Sequence, residues 1–348
     1  METLDASKKM FGHFEKVHKL SGYPALLALW AISETAVEAK DDELLKKCKD
    51  RLSLYPDKIE HPKYNFENYR VGGIGKAWLF SQKLFDEEAE NIRKYAEITL
   101  NSPKDNDGIV CIVSDGVFKT WIDIAACITP FMLYAGLGLH EDKYIDFAAE
   151  QTFKLYELFL DKTCGLLHQA KGFYDNPELV SKDHWGRGNG WGYLALTTLV
   201  RDLPKNSEHR KKAEKYYKSL SETLIKYQTE RGVWRQEIDC DYAWDESSAT
   251  AFIAFGFGVG IRLGLLDKER FEPAFKRAVS AIATRFINDD FSTNMCCGGC
   301  LCPGKDQNKG TVEAYLTEPY PTRDDPHSFG PLIFAMTEAY RNGITVLP

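Results

Sequence analysis

Apolar positions along this chain recur three and four residues apart, and the alternation expected of half-buried strands is scarce. The pattern predicts helices over Leu4–Leu20, Pro24–Leu52, Gly73–Phe85, Glu87–Leu100, Trp121–Leu137, Glu141–Phe159, Gly190–Asp202, Ser207–Tyr227, Ser248–Leu263, Asp267–Phe286 and Ser328–Asn342. Start signals accompany several of them. Pro24 follows Ser21-Gly22, Ser207 opens Ser-Glu-His-Arg, and Asp267 stands as a cap. The helices fall into pairs joined by tight turns such as Gly136–His140 and Asp202–Asn206, with longer loops rich in Gly, Asp, Trp and His leading to the next pair. A period of about 50–60 residues gives six pairs and uses nearly the whole chain. The first member of most pairs is rich in Ala, Gly and apolar residues (Trp191–Val200, Ala249–Gly260), and the second is more charged (Lys211–Lys226). That difference places the first helix inside and the second outside. The prediction is an all-α fold, an (α/α)6 barrel or six-hairpin toroid, with residues 1–348 as a single domain.

The segments that could carry chemistry share one register. Asn65–Gly75, Trp121–Asp123, His184–Trp191, Trp244–Thr250 and Asp324–Phe329 each lie at the N-terminal end of an inner helix. In a toroid these ends line one mouth, where free N–H groups and positive dipole ends suit an anionic ligand. Asp123 stands between Trp121 and the apolar run Ile124–Leu133, surroundings that push a carboxyl toward its protonated form, as a general acid requires. It also fits as the cap of that helix. In the run His184–Trp191, glycines admit a close backbone approach, Arg187 offers a planar fork for a carboxylate, and Trp185 and Trp191 offer flat faces to sugar rings. The same run fits a glycine-rich turn with Trp191 packed in the core. His168 either faces the mouth or is a hydrogen-bonded structural residue. Glu246 and Ser247 fit a capping arrangement for the following helix, and Asp324-Asp325-Pro-His327 resembles a loop ending in a cap.

Composition narrows the partners. The chain has 348 residues, 44% hydrophobic, and a net charge of −7 with both signs mixed along its length. No Lys/Arg-rich block exists to meet a phosphate backbone, so nucleic acid is not an expected partner. The polar N-terminus does not read as a signal peptide. The longest apolar run, Ala249–Ile261, falls short of the ~20 residues that span a bilayer, so no membrane partner and a cytoplasmic location are expected. Five of the nine cysteines are scattered, and four lie in Cys296–Cys302 without the paired knuckles of common zinc sites. The expectation there is a glycine-rich surface turn with free thiols or one local disulfide. Phosphate-loop, dinucleotide and Ser-His-Asp signatures are absent, and neither a metal nor a cofactor is expected.

Taken in order, Trp121-Ile-Asp123, Thr129-Pro-Phe131, Gly165-Leu-Leu-His168, Trp185-Gly-Arg-Gly-Asn-Gly-Trp191 and Glu246-Ser-Ser-Ala-Thr250 resemble glycoside hydrolase family 105. These are the unsaturated rhamnogalacturonyl hydrolases, kin to the unsaturated glucuronyl hydrolases. The resemblance implies an (α/α)6 barrel that removes a 4,5-unsaturated uronic acid from the end of a small anionic oligosaccharide left by a polysaccharide lyase. It implies that Asp123 protonates C4 of the vinyl ether and activates the water that adds at C5. It further implies that His168 and Arg187 bind the substrate while Trp185 and Trp191 shape the sugar pocket. Two departures stand out. Where the family commonly has a second Asp, this chain offers Glu67 or Asn68, and where members have a His-Lys pair it has Cys111-Ile-Val113. A non-catalytic sugar-binding barrel and another α/α-barrel enzyme, an epimerase or inverting glycosidase, are the competing expectations. An inverting glycosidase would need a second carboxylate, from Glu67 or Glu246.

Overall fold

The inner helices are buried on nearly every side, and most have sequences apolar all round, a pattern stable only when the helix is surrounded. They are α2 (Tyr23–Glu38), α4 (Gly73–Ser81), α6 (Asp123–Leu139), α8 (Gly186–Asp202), α10 (Ser247–Arg262) and α13 (Pro326–Arg341). Each packs on the next, and α13 packs back on α2, which closes a ring of six. The amphipathic helices lie outside it: α1 (Thr3–Val17), α3 (Asp42–Leu52), α5 (Ala89–Leu100), α7 (Asp142–Phe159), α9 (Arg210–Leu224) and α11 (Lys268–Ala281). The protein is an α/α barrel, as the hydrophobic pattern predicts. The computed structural model describes residues 1–59, 66–300, 311–317 and 323–348.

Close packing inside the ring depends on small residues. A Cβ on Gly256 of α10 would stand 2.1 Å from the Tyr193 ring of α8, and one on Gly136 would stand 2.6 Å from Ile145 across the α6–α7 turn. Packing of this density leaves no room for even a methyl group without displacement.

The far mouth, at the C-terminal ends of the inner helices, is closed by charge. Glu34 of α2 is fully buried and accepts hydrogen bonds from Arg201 of α8 at 2.8 and 3.0 Å and from Arg341 of α13 at 2.9 Å. Arg262 of α10 donates to Glu338 at 2.7 Å, and Tyr134 of α6 donates to Asp202 at 2.7 Å. The arginines sit in the last turns of their helices, where a cation also meets the negative dipole end.

Several expected boundaries change. The predicted helix Pro24–Leu52 is two helices, because Lys40 takes a left-handed φ of 50° and Asp41 caps α3 through the Leu44 amide. The helix predicted to begin at Gly190 begins at Gly186. Short strands also appear that the periodicity did not signal. β1 (Ile112–Ser114), β2 (Val117–Trp121) and β3 (Ala170–Lys171) form one antiparallel sheet, and β4 (Trp234–Arg235) pairs with β5 (Asp245–Glu246). At two to five residues each, they are too short to register as alternation. A further short helix, α12 (Val312–Thr317), was also unforeseen. Among the described residues, no helix is long and apolar enough to cross a membrane.

Candidate active site

The short strands position the mouth. β2 runs directly into α6, and its Trp121 pairs with Ala170 of β3. The Ile122 amide then donates to the Gln169 carbonyl at 2.8 Å, which ties the residue before Asp123 to the residue after His168. On the next pair, Gly186 donates to the Gln236 carbonyl and Ile238 to that of His184, so the start of α8 is laced to the segment leading into β5.

Asp123 is the first residue of α6, but its side chain makes no capping bond, and Ile122 occupies the cap position. The capping alternative therefore falls away. Its Oδ2 is buried with no hydrogen-bond partner among the described residues. Burial pushes this carboxyl up to about 7, against the opposing pull of the Arg187 guanidinium. A carboxyl so poised is protonated in part at neutral pH and can both give and take a proton, as general acid–base catalysis requires.

Near Asp123 the expected Trp121 is joined by aromatic rings whose association the sequence did not single out. Phe66 lies 5.9 Å from Trp121, Trp121 lies 5.9 Å from Phe173, and Tyr69 stacks on Tyr23 at 5.9 Å. The Tyr23 hydroxyl is 2.5 Å from His327 Nε2, and His327 Nδ1 is 2.7 Å from Asp325. Burial and the nearby Arg187 charge hold the His327 pKa below its ordinary value, which favours the neutral ring. With its Nδ1–H donated to Asp325, that ring accepts from the Tyr23 hydroxyl. Burial raises the Tyr23 pKa strongly, with Asp123 adding to the rise and Arg187 opposing it, so the phenol stays protonated beside both. The expected cap is present too, since Asp325 accepts from the His327 amide at 2.9 Å.

The run from His184 to Trp191 differs from a ligand-wrapping turn. Arg187, Asn189 and Trp191 lie in the first turns of α8, and the glycines serve packing. A Cβ on Gly186 would stand 2.4 Å from the Arg235 carbonyl, and one on Gly190 would stand 3.0 Å from Phe252. Asn189 is spent on the backbone, donating to Leu167 and accepting from it, and so pins the segment before His168. Trp191 packs on Phe252 with ring centres 4.6 Å apart and is 5% exposed. Trp185 is 1% exposed, stacked on Tyr315 of α12, with the Arg187 guanidinium 4.6 Å from its ring centre.

Arg187 is fully buried and donates to the carbonyls of Cys297, at 2.7 Å, and Gly298. Its Nε has no partner among the described residues. The expected surface turn is thus a buried support, because Cys296 and Cys297 lie inside against Arg187. No disulfide joins the described cysteines, and Cys302 lies outside the described residues. Glu246 anchors the same loop. It caps α10 through the Ser248 and Ala249 amides, as the sequence suggested, and accepts from the Cys297 amide at 3.1 Å.

The remaining expected residues divide. His168 is largely buried, its ring stacked on His184 at 4.9 Å, and burial with the His184 charge lowers its pKa. Asn68 is fully buried and donates to the Cys127 carbonyl of α6 at 3.0 Å, so its amide braces the helix that carries Asp123. Glu67 is exposed and paired with Arg70 at 2.9 Å, and the structure does not bring it to Asp123. A 3-10 turn over Glu67–Tyr69 causes the split by turning Asn68 inward and Glu67 outward. Asn65 lies outside the described residues. Sequence reasoning also missed Asp183 and Glu237, buried carboxyls whose pKa values burial pushes up, with the Asp183 charge adding to the rise at Glu237. Among the described residues, neither polar end of Gln236 has a hydrogen-bond partner, and Asp183 makes no close side-chain hydrogen bond. Buried polar atoms are normally satisfied, so this concentration marks the N-terminal mouth as the polar centre of the barrel.

A buried carboxyl poised near neutrality, close to aromatic rings and a guanidinium at one mouth of an α/α barrel, defines the class of site. The family follows from comparison: residues 3–343 match the model for Glycosyl Hydrolase Family 88, and the chain belongs to that family. Among curated relatives, an unsaturated 3S-rhamnoglycuronyl hydrolase of Formosa agariphila is 28% identical over 47% of this chain and 46% of its own length. A protein of the same name from an Alteromonas species is 29% identical over 44% of this chain and 38% of its own. The match thus spans about half of these relatives or less. A solved family 105 glycoside hydrolase from C. acetobutylicum superimposes with a TM-score of 0.82 at 23% identity, over 96% of this chain and 99% of that one. It shares the fold.

Proposed function

We propose that this protein is a glycosidase that removes a 4,5-unsaturated uronic acid from the non-reducing end of lyase-generated oligosaccharides of the pectin or rhamnogalacturonan type. The observation that carries the proposal is Asp123, a buried carboxyl with an unpartnered oxygen, held near neutrality by burial and faced by a fixed guanidinium. Family membership and the names of the curated relatives point the same way.

The substrate's C4=C5 bond is a vinyl ether conjugated to a carboxylate. Asp123 gives its proton to C4, and positive charge develops at C5 and the ring oxygen. The carboxylate left on Asp123 then takes a proton from the water adding at C5. The resulting hemiketal opens, the aglycone leaves, and a keto-uronate remains. One carboxyl serves both halves, so no covalent nucleophile is required. Arg187, with only its Nε uncommitted, sets a positive charge toward the anionic end of the substrate; His168 offers a hydrogen bond, the Tyr23 hydroxyl accepts one, and Trp185 and Trp191 pack behind the pocket wall.

Two details favour hydration over ordinary inverting hydrolysis, which needs a second carboxylate across a water. Of the two partners the sequence offered, Glu67 is turned to solvent and Glu246 has both oxygens committed to α10 and Ser248. Incubation with an unsaturated galacturonyl-rhamnose disaccharide in ¹⁸O water tests this directly. Label at C5 of the released uronate supports the proposal, and label at C1 refutes it.

A further inference from the structure

Beside the candidate active site lies a second cluster that the proposed reaction does not use. Asp161 and Cys164 sit on the tight turn that leaves α7, and His184 sits just before α8. One ligand atom from each lies within 4.8 Å of the others. We propose that Asp161 Oδ2, Cys164 Sγ and His184 Nε2 form a binding site for a borderline-soft divalent cation of the zinc type. His168 faces the remaining side. The three ligands have no part in the proposed reaction, His168 alone is shared with it, and the cation binds without substrate.

The distances fit such an ion. Tetrahedral zinc bonded to sulfur at about 2.3 Å and to nitrogen or oxygen at about 2.0–2.1 Å sets sulfur and nitrogen about 3.6 Å apart, and nitrogen and oxygen about 3.4 Å apart. Here Cys164 Sγ is 3.7 Å from His184 Nε2, and His184 Nε2 is 3.4 Å from Asp161 Oδ2. His168 Nε2 lies 3.7 Å from the same Oδ2. The supports are also built. Asp161 Oδ1 accepts the amide and hydroxyl of Thr163, both at 2.7 Å, which leaves Oδ2 for the cluster. His184 Nδ1 stands 2.8 Å from Asp239, the carboxylate that commonly fixes the tautomer of a metal-binding imidazole. Binding would release the Cys164 thiol proton and any proton on His184 Nε2, with no change of oxidation state. The ion would join the turn carrying His168 to the segment entering Trp185 and Arg187, and so fix two walls of the mouth.

The test is a Co²⁺ titration of the full chain after treatment with a chelator. Tetrahedral cobalt bands should appear with a near-ultraviolet thiolate charge-transfer band, saturate at one equivalent and bleach when Zn²⁺ is added. Cys164→Ser should lose the charge-transfer band. Asp239→Asn should weaken Zn²⁺ binding by about 10–100-fold. Unchanged circular dichroism certifies the folded variants, and a Zn²⁺-dependent rise in the Tm of the unsubstituted chain reads the site without any substitution. Absence of the charge-transfer band from that chain overturns the proposal. So does a band that survives in Cys164→Ser but is lost in Cys296→Ser or Cys300→Ser.

Discussion

The barrel depends on the charge network at its far mouth, and Glu34→Gln measures that dependence. The substitution keeps the shape of the side chain and removes one buried negative charge between two arginines. At an effective dielectric of about 20, opposite charges ~4 Å apart attract by about 4 kcal/mol before desolvation. Breaking one partner from a buried pair generally costs about 3–5 kcal/mol. Arg201 keeps Asp202 at 2.8 Å, and Arg341 keeps Glu38 at 2.8 Å and Glu338 at 3.4 Å. The loss should therefore fall near the lower bound, about 3 kcal/mol. Burial pushes the Glu34 carboxyl up, but the charges and hydrogen bonds of Arg201 and Arg341 outweigh it and hold its pKa below the ordinary value. A lowered folded-state pKa gives stability that is present above the unfolded value of about 4.3 and is lost as pH falls through the folded value. Urea unfolding at neutral pH should thus show a lower midpoint with an unchanged slope, and the deficit should shrink on acidification below about pH 4. Activity per folded molecule should hold, because the network lies at the opposite mouth from Asp123. A deficit below about 1 kcal/mol, the range of an exposed pair, would refute the reasoning.

The pH profile of kcat/KM should fall about tenfold per unit above about pH 7, because the free enzyme needs Asp123 protonated and its carboxyl titrates there. A profile flat through pH 9, some two units above that value, would contradict this. Arg187→Met removes the charge that lowers the Asp123 pKa, so the alkaline limb should move to higher pH; a shift downward would reverse the assigned sign. Arg187→Lys keeps the charge but loses the fork held by the Cys297 and Gly298 carbonyls, so KM should rise by roughly 10–100-fold with the limb nearly in place. Glu246→Ala strips the cap from α10 and leaves the Cys297 amide unpaired, and urea denaturation should report a loss of about 2–4 kcal/mol.

The barrel was legible because inner and outer helices differ along their whole length: α10 is apolar throughout, whereas α9 carries one apolar stripe. The register of candidate segments was legible for the same reason, since helix order fixes which ends share a mouth. Asp123 and Arg187 stood out by residue type and flanking pattern. Tyr69 and His327 lay inside segments placed at that mouth, but Tyr23 did not, and its association with His327 joins positions some 300 residues apart through a ring closure that no local pattern encodes. A Tyr just ahead of Pro24, in register with the other helix starts, was the one available hint. The choice between Glu67 and Asn68 was equally out of reach, because a single 3-10 turn decides which of two adjacent side chains enters the barrel. The glycines of 186–190 misled for a physical reason: glycine allows close approach to a ligand or to a neighbouring chain segment, and here the Arg235 carbonyl and Phe252 occupy that space.

The central claim concerns the proton on Asp123. Asp123→Asn keeps the volume at the head of α6 and removes only the ability to give and take a proton. With an unsaturated galacturonyl-rhamnose disaccharide, the ultraviolet absorbance of the conjugated uronate should decay with the unsubstituted enzyme. The Asn variant should slow that decay by at least ~10²–10⁴-fold while remaining folded by circular dichroism. Decay at the unsubstituted rate in that variant would contradict the account.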